Sequence, residues 1–94
     1  MRDYITGKKI LITGAASGLG KLLIEKFIKS DCTVIAVDRN ELGLSNLVQE
    51  LGDDRIRTFR CDLSVMSDIE ALCASVKAEF EYIDILINNA GIVN

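Results

Sequence analysis

Apolar and polar positions alternate along this chain in blocks whose period switches repeatedly between strand-like and helix-like. Residues 8–13 carry Ile10, Leu11 and Ile12 in succession, the pattern of a strand buried on both faces of a parallel sheet. Over residues 18–30 the period becomes helical, with Leu19, Leu22, Leu23 and Phe27 in one stripe that Ile24 and Ile28 widen. After a polar break at Ser30 and Asp31, residues 33–37 are apolar and largely β-branched, a second strand that ends at Asp38. Asn40 suits the N-cap of a second helix reaching Leu51, where Leu44, Leu47, Val48 and Leu51 recur at i, i+3, i+4 and i+7. Gly52 stops it, and residues 55–60 alternate with more charge, as an edge strand does. A third helix starts near Val65, with Ser67 and Glu70 spaced as a capping box and Ile69, Leu72, Cys73, Val76 and Phe80 as its apolar stripe. Residues 83–87 make a fourth strand.

Strands alternating with helices predict an α/β fold with a parallel sheet and right-handed crossovers. The expected strand order is 3-2-1-4, which puts a switch point between strands one and four. Ligands of such sheets sit there, outside the carboxyl ends of the strands.

Ninety-four residues make one small domain, and an apolar fraction of 49% is ample for its core. A net charge of −3 with no basic cluster argues against nucleic acid as a partner. Cys32, Cys61 and Cys73 have no metal spacing and no histidine accompanies them, so no metal site is expected. They read as small packing residues in a reducing compartment. No apolar run approaches the ~20 residues of a membrane span and no signal peptide is visible at the start, so the expected location is cytoplasmic.

The chemistry concentrates where strands end. Between strand one and helix one lies Thr13-Gly14-Ala15-Ala16-Ser17-Gly18-Leu19-Gly20. A strand turning through glycines into a helix gathers backbone N–H groups at the positive end of the helix dipole, a cradle for a pyrophosphate. Gly14 would permit the turn, Gly18 a close ligand, and Gly20 close packing of the helix. The spacing is not that of a P-loop: Gly14 and Gly20 are one residue too far apart, and Leu22 follows Lys21. A plain glycine turn is the alternative. Asp38 ends strand two, where a dinucleotide fold places the acid that accepts the adenosine ribose hydroxyls. Its charge would favour NAD over NADP, although Arg39 beside it could receive a 2′-phosphate. Capping of a helix by a solvated acid is its other reading. Asp62 and Leu63, after strand three, could meet an adenine amino group and ring face, or Asp62 could simply face a helix dipole. Asn88-Asn89-Ala90-Gly91, after strand four, offers two amides and a close approach for a flat ligand, or an ordinary turn.

Taken together, Thr13–Gly20, Asp38, Cys61-Asp62-Leu63 and Ile83-Asp84-Ile85-Leu86-Ile87-Asn88-Asn89-Ala90-Gly91 make the chain resemble the N-terminal part of a short-chain dehydrogenase/reductase. The resemblance covers nearly the whole chain. It implies one incomplete Rossmann-type NAD(P)-binding domain over residues 1–94, and a parent reaction of hydride transfer between a nicotinamide and an alcohol or carbonyl. By the same resemblance Ser17 and Leu19 would contact the pyrophosphate and nearby ribose. Asp38 would hold the adenosine ribose, Asp62 and Leu63 the adenine, and Asn89 the adjoining ribose, while Asn88 would brace the central strands. Glu81 stands where many members of the family have a glycine.

The family's serine, tyrosine and lysine lie on a fifth strand and the helix after it, and these 94 residues hold no counterpart. Tyr4 and Lys8 have the Tyr-x-x-x-Lys spacing, but the pair needs a helix to share a face, and Gly7 intervenes. Lys8 also opens strand one, about 20 Å from the ligand rim. The 94 residues are therefore expected to bind the dinucleotide without turning over substrate. Two rivals remain at this point: a nucleotide-binding module without catalysis, and a retained fold without a ligand. The apolar edge of strand four is expected to drive self-association.

Overall fold

The computed structural model describes residues 4–90. Strands β1 (Lys9–Thr13), β2 (Thr33–Asp38), β3 (Ile56–Arg60) and β4 (Ile85–Ile87) form a parallel sheet in the order β3-β2-β1-β4. Helices α1 (Gly18–Phe27), α2 (Glu41–Leu51) and α3 (Met66–Phe80) connect them. This is the doubly wound, Rossmann-type arrangement that the alternation predicts. The register places Leu11 between Ile35 of β2 and Leu86 of β4, so the two middle strands have neighbours on both sides.

The sheet divides the core in two. Ile10, Ile12, Val34 and Ala36 face Ile24 of α1 and Leu44 and Leu47 of α2. Leu11, Ile35 and Val37 face the opposite way, toward Val76 of α3 and Cys61. Continuous apolar runs in β1 and β2 thus serve both layers at once, each fully buried Ile or Val contributing about 1.5–3 kcal/mol of transfer free energy.

The helices correct several expectations. Helix α1 buries Gly20 and Ile24 on one line, with Leu23, Phe27 and Ile28 half-buried, whereas Leu19 and Leu22 are exposed. Of the expected stripe, Leu23, Ile24, Phe27 and Ile28 therefore face inward, and Leu19 and Leu22 do not. The helix also stops at Phe27 rather than Ser30, because Lys29 and Ser30 donate to carbonyls only three residues back. The Arg55 guanidinium takes the Ile28 and Ser30 carbonyls that follow. Helix α3 begins after Val65, which makes no side-chain cap bond, so the Ser67–Glu70 capping box does not form. Ser67 lies inside the first turn, and the carboxylate that acts there belongs to Asp68, which accepts from the Asp62 N–H at 3.0 Å and from Arg60 at 2.7 Å. Cys73 is exposed and does not pack, while Cys32 and Cys61 are buried as expected. Strand β4 is shorter than residues 83–87 because Asp84 pairs with Lys9 in part through its side chain: its carboxylate accepts from the Lys9 N–H at 2.8 Å.

Candidate functional site

The carboxyl ends of the strands meet at the turn that joins β1 to α1. Gly14 adopts φ +64°, a conformation open to glycine, and lets the chain reverse there. A Cβ at Gly20 would lie 2.3 Å from the Gly14 carbonyl oxygen, so only glycine lets the first turn of α1 close onto that loop. Ser17 is the N-cap: its Oγ accepts from the Gly20 N–H at 3.0 Å and donates to the Gly14 carbonyl at 2.7 Å. The Gly18 and Leu19 N–H groups, at the positive end of the helix, have no hydrogen-bond partner among the described residues. Nothing stands within 4 Å of where a Gly18 Cβ would be, so the turn is open on that side.

Asn89 braces this turn from β4. It is buried, and its Nδ2 donates to the Gly14 carbonyl at 3.1 Å and to Ser17 Oγ at 3.2 Å. A carbonyl can only accept, which fixes the orientation of the amide. Asn89 Oδ1 is then a buried acceptor with no partner among the described residues. Thr13 Oγ1 completes the connection, donating to Asn88 Oδ1 at 3.2 Å and accepting from the Ala90 N–H at 3.1 Å. Both asparagines therefore tie the loop after β4 to the end of β1, with Asn89 the deeper of the two and Asn88 exposed.

From β2, Asp38 reaches toward the same turn. Its Oδ2 accepts from the Ala16 N–H at 3.0 Å and its Oδ1 from the Asn40 N–H at 2.8 Å. Beyond it, Asp62 accepts at Oδ1 from the Ser64 hydroxyl at 2.6 Å and the Ser64 N–H at 2.9 Å. These two donors, with Arg39 and Arg60 nearby, hold the Asp62 carboxyl below the usual range, so it is an ionised acceptor at neutral pH. Burial pushes the Cys61 thiol up, aided by the Asp68 carboxylate, and keeps it a neutral wall.

These groups line one cleft of about 380 Å³. Gly14, Ser17, Asp38 and Arg39 form one part of its wall, and Asp62, Leu63, Asn89 and Ala90 another. Gly18, Leu19 and Gly20 are not in that lining: the first two stand exposed at the start of α1, and Gly20 is buried beneath it. Gly91 falls outside the described residues. Sequence reasoning missed Val37, Cys61 and Ser64 as lining residues, and missed the Ala16 N–H as a partner of Asp38. The Asp62-x-Ser64 spacing of an Asx-turn was the one signal that could have found Ser64. Tyr4 and Lys8 precede β1 with a turn at residues 6–7 between them, not a helix, so they do not share a helical face.

The profile of the short chain dehydrogenase family matches residues 8–94. The chain belongs to that family. Among its relatives is a D-threitol dehydrogenase of Mycolicibacterium smegmatis, 40% identical over 90 residues that make up 94% of this chain and 35% of the relative. An NADP-dependent 3-hydroxy acid dehydrogenase of Shigella flexneri is 40% identical over 83 residues, 88% of this chain and 33% of the relative. A 3-ketoacyl-(acyl-carrier-protein) reductase of Brucella melitensis, solved in complex with NADH, superposes with a TM-score of 0.77 at 33% identity, over 86% of this chain and 33% of that one. The chain thus spans about a third of the length of these relatives and matches their N-terminal part.

Short-chain dehydrogenases use nicotinamide dinucleotides, and the residues present fit one. Two unpartnered N–H groups at a helix start suit a pyrophosphate, and a carboxylate beside them suits a ribose diol. The buried, unpartnered Asn89 Oδ1 is a further acceptor at the rim. Among the described residues, no three His, Cys, Asp or Glu side chains gather as a metal ion requires, and no helix is long and apolar enough to cross a membrane.

Proposed function

We propose that this short-chain dehydrogenase chain holds NAD in the cleft, and that it is the cofactor-binding part of an oxidoreductase acting on an alcohol or carbonyl. The observation that carries the reading is the Asp38 carboxylate hydrogen-bonded to the glycine turn, beside the two unpartnered N–H groups of Gly18 and Leu19. In this reading those N–H groups hold the pyrophosphate, with Gly14 and Gly20 shaping the turn behind them. Ser17 contributes by fixing the turn, since its hydroxyl already makes three protein hydrogen bonds. Asp38 accepts the adenosine ribose hydroxyls, and its charge disfavours the 2′-phosphate of NADP despite the neighbouring Arg39. Asp62 accepts from the adenine amino group, Leu63 covers the ring, and Asn89 and Ala90 line the path toward the second ribose.

When bound, the nicotinamide supplies or takes up the hydride, and the protein must supply the proton relay. The titratable side chains lining this cleft are Asp38, Arg39, Cys61 and Asp62. Asp62 is held ionised and Cys61 held protonated, so neither is poised as a general acid–base near neutral pH. In this reading the 94 residues bind the dinucleotide without supplying that relay. Its free thiols at Cys61 and Cys73 suit a reducing, cytoplasmic setting.

A second reading concerns assembly. Among the described residues β3 and β4 are both edges, but β3 carries Arg57 and Arg60, paired with Glu79 and Asp68, whereas β4 is Ile-Leu-Ile with Leu86 62% exposed. Charged edges resist pairing and apolar ones invite it, so β4 is the edge through which two copies associate.

Titration calorimetry tests the main reading. NAD and ADP-ribose should bind, Asp38→Ala should weaken both by about ten- to a hundredfold through loss of charge-assisted hydrogen bonds, and no NADH should form with simple alcohols. Absence of heat with NAD, NADH and ADP-ribose alike would leave only a fold without a ligand, and steady NADH formation would refute the claim of incomplete catalysis.

A further inference from the structure

Asp38 belongs to a closed ring of contacts that reaches into α2. The Ala16 N–H donates to one of its oxygens and the Asn40 N–H to the other. The Asn40 side chain, as N-cap of α2, accepts from the Gly43 N–H at 3.0 Å. The ring closes at Gly43, where a Cβ would lie 2.8 Å from the Ala16 Cβ and 3.1 Å from the Asn40 Cγ and Nδ2. Side-chain carbons do not approach that closely, so α2 can rest on the glycine turn only with glycine at this position. Inside a helix this glycine is less favourable than alanine. It stands where the helix meets the turn.

We infer that Gly43 is a specificity-determining positioning residue, which lets α2 clamp the Asp38 carboxylate in one direction and so sets the preference for an unphosphorylated ribose. The inference rests on the proposed binding of NAD in the cleft. One N–H on each carboxylate oxygen, from two different elements, fixes both the place and the plane of the group. A carboxylate free to swing into solvent would escape a 2′-phosphate, and exposed Arg39, next in sequence, would then serve as its counter-ion. Immobility of the acid, rather than its charge alone, is what keeps Arg39 from reversing the preference. Gly43 is not among the residues that line the cleft, and the atoms nearest to a Cβ there belong to Ala16 and Asn40, through which it acts.

The test is the ratio of the dissociation constants for NADP and NAD, measured on the full 94-residue chain by calorimetry. Wild type should prefer NAD, and Gly43→Ala should reduce the ratio by about tenfold, the scale of one weakened charge-assisted hydrogen bond. Adding Ala16→Gly removes the methyl that the new Cβ meets and should restore much of the preference, a coupling that simple destabilisation would not produce. Should Gly43→Ala fail to fold, Asn40→Ala, which deletes the acceptor for the Gly43 N–H, should lower the ratio in the same direction, and Asn40→Ser should keep it. An unchanged ratio in these folded variants, or equal weakening toward both dinucleotides, overturns the inference while leaving NAD binding intact. Wild type that binds neither dinucleotide overturns the binding reading and this inference with it.

Discussion

At the scale of single residues, several side chains hold the turn rather than face a ligand. Ser17 Oγ uses its one proton on the Gly14 carbonyl and both lone pairs on the Gly20 N–H and the Asn89 side-chain Nδ2. The sequence places Ser17 at the right spot, but sequence does not reveal that its hydroxyl is saturated. The same holds for Asn88 and Asn89: adjacent amides look interchangeable in the sequence, and only burial separates the inner brace from the exposed one. Glu81 is legible in both. The resemblance to the family implies glycine at this position, and in the structure Glu81 caps α3 at φ 69°, ψ −48°, in the left-handed half of backbone space that disfavours a Cβ. Glu81→Gly should therefore stabilise the protein by about 1 kcal/mol, despite the greater freedom glycine gives the unfolded chain. In a domain of this size that is about 5 °C in melting temperature, which thermal unfolding followed by circular dichroism would register. A lower melting temperature would mean that the Glu81 conformation is not strained.

At the scale of elements, strands β1 and β2, helix α2 and the strand order were readable, because apolar runs and i, i+3, i+4 spacing are local signals of what is buried. Helix ends were not readable where tertiary partners decide them. Nothing near Ser30 announces that α1 stops early, since the group that takes the Ile28 and Ser30 carbonyls just past its end is Arg55, far along the chain at the approach to β3. Ser67 and Glu70 have the spacing of a cap, yet Asp68 engages Arg60 and the Asp62 N–H, and the helix starts around that contact instead. Arg55 itself is held by Asp53, whose carboxylate accepts from its Nη2 at 2.7 Å and its Nε at 3.0 Å. This pairing draws the Asp53 carboxyl below the usual range, to about 2. Its folded value lies below its unfolded one, so the unfolded chain binds the extra proton and the stabilisation is present above the unfolded pKa. It is lost as pH falls from about 4 through about 2. Asp53→Asn should thus lower the urea midpoint at neutral pH, with the gap from wild type narrowing below pH 4 and closing near pH 2. A gap that stays constant across that range would show that the clamp does not depend on the carboxylate charge.

At the scale of the whole molecule, the two faces of the sheet are unequally covered. Helices α1 and α2 share the layer beneath Ile10, Ile12, Val34 and Ala36, while α3 alone serves the other and has Val76 as its one buried residue among those described. The cleft survives this asymmetry because its walls are strand ends and the loops that leave them, tied by Asn89, Thr13 and Asp38 rather than by the outer layer. Leu86 does not escape it. It pairs in register with Leu11, on the face that α3 covers only in part, and is 62% exposed while Leu11 is 7% exposed. An exposed apolar residue in the middle of a strand whose outer edge has no partner among the described residues favours association of two copies. Sedimentation should show a monomer–dimer equilibrium, and Leu86→Lys should shift it to monomer by placing a charge on the apolar patch while leaving β4 paired to β1. Because Leu86 touches neither Asp38 nor the glycine turn, NAD affinity per chain should change less than about twofold, within the usual ±0.5 kcal/mol of a distant surface substitution. Wild type that sediments as a monomer at its highest soluble concentration would remove β4 as an assembly surface. Loss of NAD binding in a folded Leu86→Lys chain would instead mean that association and the cleft are coupled, and that edge and rim do not act separately.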